Sequence, residues 1–235
     1  MKQKKLNNLK DLENQIGYHF KNPSLLDLAL THSSYKNEMK AQFPQKTNLD
    51  DNERLEFLGD TILSFILSKR LFTKFKNSPE GTLSKYRSIL VSKDHLFKIA
   101  KTLKLAHYLK LGKGESAGKI YTKANMLANT VEAVIAAIYL DGGIQPAENF
   151  ISKCLGKYLD VRKLSRLDKN FKSALQEYSQ KRLKILPYYH TIERKNMFYS
   201  TVSISKSKKA TGWGPSKREA EQEAAKNLIK KLKKK

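Results

Sequence analysis

The sequence predicts an α+β protein with a large all-helical first domain and a small second domain built in the order helix, strands, helix. Through residues 9–159 glycine and proline are sparse and apolar residues recur at three- and four-residue spacing, which is typical of helices. Residues 198–205 instead alternate with the period of two of a half-buried strand. We predict a first domain at residues 1–160, a linker at 161–168 and a second domain at 169–235.

Proline, glycine and serine predict where several elements begin and end. Pro23 and Pro79 favour helix starts, because proline in the first turn loses only a hydrogen bond that is already missing. The polar residues 39–51 predict an exposed loop. In the second domain, residues 171–183 predict a helix, and Ser216 suits the N-cap of a last helix.

The composition excludes several classes of protein. Hydrophobic residues make up 40% of the chain and charged residues 29%, as in a folded globular protein. The longest apolar run, residues 133–140, is far shorter than the ~20 residues that span a bilayer, so we expect no membrane segment. The N-terminus lacks the apolar stretch of a secretion signal, so we expect a cytoplasmic location. Cys154 is the single cysteine, which excludes an internal disulfide.

The chain is strongly basic, with a formal net charge of +24. Residues 169–235 contain 18 basic and 5 acidic residues, whereas the first 168 residues contain 28 and 17. The basic segment also has regular apolar periodicity, so it predicts a folded nucleic-acid-binding module rather than a solvated arm.

Residues 52–60, with the sequence NERLEFLGD, predict a helix with one acidic face. At ~100° per residue, Glu53, Glu56 and Asp60 fall within an arc of roughly 60°. Carboxylates at this spacing repel one another, so a cation is expected to offset them. A hard divalent cation prefers such oxygen ligands.

Asn129 and Glu132 share a second helix face, immediately before the most apolar run of the chain. A carboxylate there is costly unless it is paired or bound to metal. Each acidic cluster alone also fits a solvated face with ordinary salt bridges to lysine. Together they suit phosphodiester hydrolysis, because carboxylates that hold one or two Mg²⁺ ions can activate the nucleophile and stabilise charge on the phosphate.

These residues, with further stretches in the same order, resemble the ribonuclease III family. The nonapeptide at residues 52–60 matches the family's defining motif, and the other matching stretches are residues 20–26, 29–35, 79–81, 111–115, 127–133 and 139–143. The resemblance covers nearly the whole first domain. It implies a helical endonuclease domain that forms a homodimer, with a catalytic valley lined by acidic residues of both subunits.

The resemblance also implies roles for individual residues. Asp60 and Glu132 match the catalytic acids, and Glu56 joins them as a Mg²⁺ ligand, with Mn²⁺ as the expected substitute. Glu53 and Glu80 match auxiliary acids that help to position RNA or water. Phe57 matches an aromatic residue of the dimer interface, with core packing as the alternative.

Asn129 departs from the family pattern, which most often has aspartate at this position. An amide oxygen can coordinate Mg²⁺ but brings no negative charge, so weaker metal affinity is expected. We retain Asn129 as a candidate metal ligand.

The second domain resembles a double-stranded-RNA-binding domain with α-β-β-β-α order. In such domains the first helix meets the minor groove and the start of the last helix contacts phosphates. Gln176 and Glu177 match the first role, and Lys217 and Arg218 match the second. The connection at residues 193–197 is short and lacks the Gly-Pro and histidine common in these domains, which predicts reduced RNA affinity.

Two other functions stay open: an RNA-binding protein that does not cut, which Asn129 favours, and a DNA-binding regulator. The acidic set favours the nuclease, because a mere binder has no reason to place acids against a polyanion. The sequence therefore predicts an Mg²⁺-dependent endoribonuclease that cuts double-stranded RNA into staggered ends with 5′-phosphate and 3′-hydroxyl groups. The resemblance implies ribosomal RNA precursors and structured messenger RNAs as substrates.

Overall fold

The computed structural model describes residues 2–45, 49–116, 120–160, 164, 170–205 and 207–233. The chain divides into two compact units, Met1–Leu164 and Ser165–Lys235. Apart from Leu164, the predicted linker at residues 161–168 lies outside the described residues, so its extent stays a prediction.

The first unit is helical, as the sequence predicts. Its α-helices are α1 (Lys2–Ile16), α2 (Pro23–Ala29), α3 (Ser33–Gln42), α4 (Glu53–Lys74), α5 (Glu80–Leu90), α6 (Lys93–Thr102), α7 (Lys113–Ser116), α8 (Ile120–Gly142) and α9 (Ile144–Leu155). Two short 3₁₀ helices, Leu105–His107 and Gly156–Tyr158, follow α6 and α9.

Two long helices, α4 and α8, form the centre of this unit and pack directly against each other, with α2, α6 and α9 around α8. The segment from Ala133 to Ile138 is buried at every position, which explains why α8 is apolar on all sides there. The side of α4 that faces α8 contributes Leu55, Ile62 and Ile66 to the same core.

Two of the predicted boundaries are confirmed and two shift. Asn22 caps α2, because its side chain accepts a hydrogen bond from the backbone N–H of Ser24. Pro79 is itself the N-cap of α5, so that helix begins one residue later than the proline. The loop predicted from residue 39 begins after Gln42, because α3 meets no helix-breaking residue before Pro44. Ser216 caps the last helix, since its Oγ accepts a hydrogen bond from the N–H of Glu219.

The second unit has the predicted order of helix, strands and helix. It contains α10 (Phe171–Leu183), β1 (Tyr188–Arg194), β2 (Met197–Ser203), β3 (Lys209–Gly214) and α11 (Lys217–Lys233). The strands form an antiparallel sheet in the order β1-β2-β3, with Thr191 opposite Ser200 and Ser200 opposite Gly212.

The last helix, α11, packs against the sheet, and α10 packs against α11. Gly212 makes this close packing feasible, because a Cβ atom there would lie 2.2 Å from the backbone nitrogen of Ala224. Lys195 and Asn196 alone join β1 to β2, with φ angles of 47° and 61°. Two successive positive φ angles are typical of the tight type I′ hairpin turn.

Across the residues with described positions, we find no helix with both the length and the apolar character needed to cross a bilayer.

Candidate active site and nucleic-acid interface

The exposed side of α4 forms an open groove of about 620 Å³ with parts of α6 and α8. Its lining residues are Glu53, Glu56, Phe57, Asp60, Thr61, Val91, Lys93 and Glu132. The fold therefore places the three acids predicted on α4 in the same groove as Glu132, which lies more than seventy residues further along the chain.

Gly59 allows the acids of α4 to approach Glu132. A Cβ atom at this position would lie 1.8 Å from the carbonyl oxygen of Glu132, so no larger residue fits while the two helices keep their separation. Asn52 fixes the start of α4, since it is only 2% exposed and its Nδ2 donates to the carbonyl oxygen of Ala29 at 3.1 Å. Neither residue was singled out from the sequence, although both belong to the nonapeptide.

Glu132 is the buried acid of the groove, with 3% of its surface exposed. Burial raises the pKa of this carboxyl group above its ordinary value, and the negative charges of Asp60 and Glu56 act in the same direction. The hydrogen bond from Lys93 opposes the rise without cancelling it. Glu132 is therefore a carboxylate whose negative charge requires a cation close by.

Lys93, the first residue of α6, supplies a positive charge inside the groove. Its Nζ donates to Oδ1 of Asn129 at 2.5 Å and to Oε2 of Glu132 at 2.8 Å, and lies 3.7 Å from Oε1 of Glu56. Sequence analysis missed Lys93, because one lysine among 46 basic residues carries no distinguishing pattern. Only the packing of α6 against α8 reveals its position.

The candidate ligands have the chemistry that a hard divalent cation requires, namely three carboxylates and one amide oxygen. Within the described parts of the chain, no three His, Cys, Asp or Glu side chains are arranged to hold one ion as they stand. Oxygens of Glu56, Asn129 and Glu132 nevertheless converge on one positive charge, the Lys93 ammonium. The donor set thus fits a cation at this position.

The remaining predicted residues of the first unit differ in where they lie. Glu53 lines the groove. Phe57 also lines it and is 79% exposed, which excludes core packing as the explanation for this residue. Glu80 begins α5, is not among the groove-lining residues, and accepts a hydrogen bond from Ser84 Oγ at 2.6 Å. Its auxiliary role stays a prediction.

Three of the four predicted RNA-binding residues share a second groove, in the second unit. Gln176 of α10 faces Lys217 and Arg218 at the start of α11 across an open groove of about 520 Å³. The positive end of the α11 dipole adds to these two charges. Glu177 is exposed on α10 but is not among the residues that line this groove.

A polar cluster that sequence analysis missed fixes the walls of the second groove. Glu221 of α11 is 8% exposed and accepts hydrogen bonds from Lys172 Nζ at 2.5 Å and from Thr191 Oγ1 at 3.3 Å. These bonds connect α11 to α10 and to β1. The positions of Lys217 and Gln176 relative to each other therefore depend on an ion pair whose carboxylate is nearly buried.

An acidic groove on a helical unit, followed by a basic α-β-β-β-α unit, defines a nuclease with its own RNA-binding domain. Family comparisons agree: residues 22–159 match the ribonuclease-III-like family, and residues 171–232 match the double-stranded RNA binding motif. The chain belongs to the ribonuclease III family. The family resemblance seen in the sequence is confirmed, as are the predicted fold class and the assignment as an endoribonuclease.

Similar proteins cover nearly the whole chain. Ribonuclease 3 of Clostridium botulinum strain Eklund 17B is 40% identical over 95% of this chain and 96% of its own length. Ribonuclease 3 of Carboxydothermus hydrogenoformans is 42% identical over 96% of each chain. The crystal structure of the nuclease domain of ribonuclease III from Campylobacter jejuni is 34% identical, with a TM-score of 0.54, and covers 64% of this chain and 95% of its own.

Proposed function

We propose that this chain hydrolyses double-stranded RNA with Mg²⁺ in the acidic groove and leaves 5′-phosphate and 3′-hydroxyl ends. The observation that carries the proposal is Glu132, an almost fully buried carboxylate that lines the groove together with Glu56 and Asp60. Burial of an acid among other acids is unfavourable for folding unless a cation lies beside it, and carboxylate oxygens of this kind are ligands that Mg²⁺ prefers.

The proposed Mg²⁺ ligands are Glu56, Asp60 and Glu132, with Asn129 as a neutral fourth. When bound, the ion supplies an activated nucleophile at neutral pH and stabilises negative charge on the phosphate; Mn²⁺ is the proposed substitute. Asp60 and Glu132 orient the reacting groups from two different helices. Glu53, which is exposed at the first turn of α4 and lines the groove, would hold water or a ribose hydroxyl there.

We also propose that the protein works as a homodimer. Three exposed phenylalanines of α4, Phe57, Phe65 and Phe72, are 79%, 59% and 73% exposed and fall within an arc of roughly 80° on the helix. An apolar stripe of this kind marks an interaction surface. A Campylobacter jejuni structure is described as showing flexibility in a region involved in dimer formation of that nuclease domain.

A dimer would place two acidic grooves on one duplex and so explain a staggered product, because each groove would cut one strand. Phe57 lines the groove and belongs to the stripe, so the proposed interface would reach the proposed active site. We propose ribosomal RNA precursors and structured messenger RNAs as substrates, and the cytoplasm, where bacteria make these RNAs, as the location. The groove between α10 and α11 would hold the duplex.

The decisive test is cleavage of a long end-labelled RNA duplex by Asp60→Asn and by the matched control Asp11→Asn, an exposed aspartate of α1. We expect Asp60→Asn to lower the rate by about a hundredfold or more, with unchanged duplex binding, because it removes a metal ligand. Asp11→Asn should cleave normally, and a chelator should abolish cleavage by both. End analysis then identifies the terminal groups.

Tight duplex binding without cleavage at any divalent-cation concentration would overturn the proposal. It would favour the second candidate function, an RNA-binding protein, which the contact between Lys93 and Asn129 supports because an ammonium lies where a metal ion would bind.

A further inference from the structure

We infer that the Lys93 ammonium is a built-in counter-ion of the acidic groove that competes with the divalent cation for its ligands. This inference rests on the proposed metal site and adds to it a residue that sets metal affinity. Lys93 Nζ contacts Asn129, Glu132 and Glu56, three of the four candidate ligands, with its longest distance 3.7 Å. A divalent ion that takes the same oxygens must displace it.

The charges of the groove explain why an ammonium lies there. Among the described residues that line the groove, four are acidic, and Lys93 is the one basic residue. Mutual repulsion of the acids would weaken the packing of α4 against α8 in the metal-free protein. An ammonium beside Glu132 offsets this repulsion without any bound ion.

Exposure indicates which partner can move. The side chain of Lys93 is 46% exposed, whereas that of Glu132 is 4% exposed. A lysine carries its charge on a flexible four-carbon stem, so its ammonium can swing into solvent while Glu132 stays fixed in the helix packing. Lys93 is therefore a displaceable cation, and Glu132 is a fixed ligand.

Asn129 strengthens the competition. Its neutral amide oxygen accepts the 2.5 Å hydrogen bond from Lys93 but offers a divalent ion less attraction than a carboxylate would. The combination of lysine at 93 and amide at 129 shifts the balance from the metal towards the ammonium. The predicted result is a ribonuclease that loads its metal only at relatively high concentration.

The test measures Mn²⁺ binding to the full chain without RNA, by titration calorimetry and by electron paramagnetic resonance of free Mn²⁺. Lys93→Met removes the charge and keeps the length of the side chain. Lys98→Met, at an exposed position of the same helix, is the matched control for net charge. We expect Lys93→Met to bind Mn²⁺ about tenfold more tightly and Lys98→Met to bind like the wild type.

Thermal unfolding gives a second readout that is independent of activity. With chelator present, Lys93→Met should unfold at a lower temperature than the wild type, because the acids lose their counter-ion. Adding Mn²⁺ should raise its unfolding temperature by more than it raises that of the wild type. The variant Lys93→Gln should behave in the same way, and circular dichroism checks that both are folded.

The outcomes separate the two proposals. If the wild type binds Mn²⁺, Glu132→Ala abolishes that binding and Lys93→Met leaves the affinity unchanged, the inference about Lys93 is overturned while the metal site stands. If the wild type and Lys93→Met both fail to bind Mn²⁺, the metal site is overturned and the competition with it.

Discussion

Gly59 on α4 lies directly against the main chain of Glu132 on α8, so that a single added methyl group would come within 1.8 Å of the Glu132 carbonyl oxygen. The distance between the acids of α4 and the buried acid of α8 therefore depends on residue 59 being a glycine, which has no side chain. Helix packing at this point sets the geometry of the candidate active site.

Gly59→Ala should push α4 away from α8 and damage stability and cleavage together. Alanine favours helix, but the backbone clash outweighs this gain, and we expect the free energy of unfolding to fall by about 2 kcal/mol or more. Urea unfolding measures the change. Gly81→Ala is the control, because a Cβ atom at Gly81 on α5 meets nothing within 4 Å. Equal stability of the two variants would show that the helices separate easily.

Asn129→Asp should lower the Mg²⁺ concentration needed for half-maximal cleavage, because it turns a neutral oxygen donor into a charged one. Lys93 should reduce this gain in metal affinity, because its ammonium contacts the same side-chain oxygen of residue 129. The double variant Lys93→Met, Asn129→Asp should therefore need less Mg²⁺ than either single variant.

Asn125→Asp, at an exposed position one turn earlier on α8, is the control for added charge. Cleavage rates measured across a Mg²⁺ titration give the concentration that each variant needs for half-maximal cleavage. An unchanged or higher requirement in Asn129→Asp would argue against a ligand role for this residue.

Phe57→Ala should weaken the proposed homodimer, because it removes the most exposed ring of the apolar stripe on α4. An aromatic anchor of an interface often contributes enough that its loss raises the dissociation constant by about tenfold or more. Sedimentation equilibrium measures this constant. Phe43→Ala, an exposed aromatic at the end of α3, should leave it unchanged. A monomeric wild type would remove the basis for two grooves on one duplex.

Asp141→Asn should destabilise the first unit at neutral pH but not in acid. Burial alone would raise the pKa of Asp141, but hydrogen bonds from Tyr18 Oη and from the backbone N–H groups of Lys21 and Asn22 lower it below the ordinary 3.8. A lowered pKa means that the folded protein favours the charged form. The stabilisation is then present above pH 3.8 and is lost as the pH falls through the lowered value.

We expect a loss of about 1 kcal/mol in the free energy of unfolding of Asp141→Asn near neutral pH, shrinking towards zero in acid. Denaturant titrations at several pH values give the profile, with Asp11→Asn as the control. A difference that stays constant with pH would contradict the ionic origin of the effect.

Lys217→Ala should weaken duplex RNA binding equally for all sequences and reduce the slope of log affinity against log salt by about one unit, because one phosphate contact is lost. Lys209→Ala is the control, since Lys209 is exposed at the opposite end of β3 from the turn to α11. Fluorescence anisotropy over a range of salt concentrations distinguishes the two. An unchanged slope would show that Lys217 does not contact a phosphate of the RNA.

Local patterns predict much of this fold. The helical period gives the first unit, and residues 171–183 form a helix with the predicted bounds. The acidic face of α4 and the start of α11 also follow from short-range spacing, because a helix fixes which side chains share a face. The loop predicted at residues 39–51 starts too early, because polar residues alone do not end a helix.

Long-range packing limits prediction of the candidate site. Lys93 and Gly59 contribute to the candidate site because α4, α6 and α8 come together there. The spacing of residues within one helix does not indicate which other helices pack against it. The family resemblance supplied the connection between Asp60 and Glu132, which periodicity left as two separate acidic faces. Glu80 matches the motif but does not line the groove of its own chain, so its auxiliary role stays a prediction.

Lys195 and Asn196 alone connect β1 to β2 in the second unit, so this end of the hairpin carries no longer loop. We expect such a domain to hold a duplex chiefly through the charges of α10 and α11, without a second point of contact from the hairpin. Binding of that kind permits one-dimensional diffusion along the RNA. We therefore expect cleavage sites to be chosen where the local RNA helix suits the acidic groove, and not at a fixed distance from an RNA end.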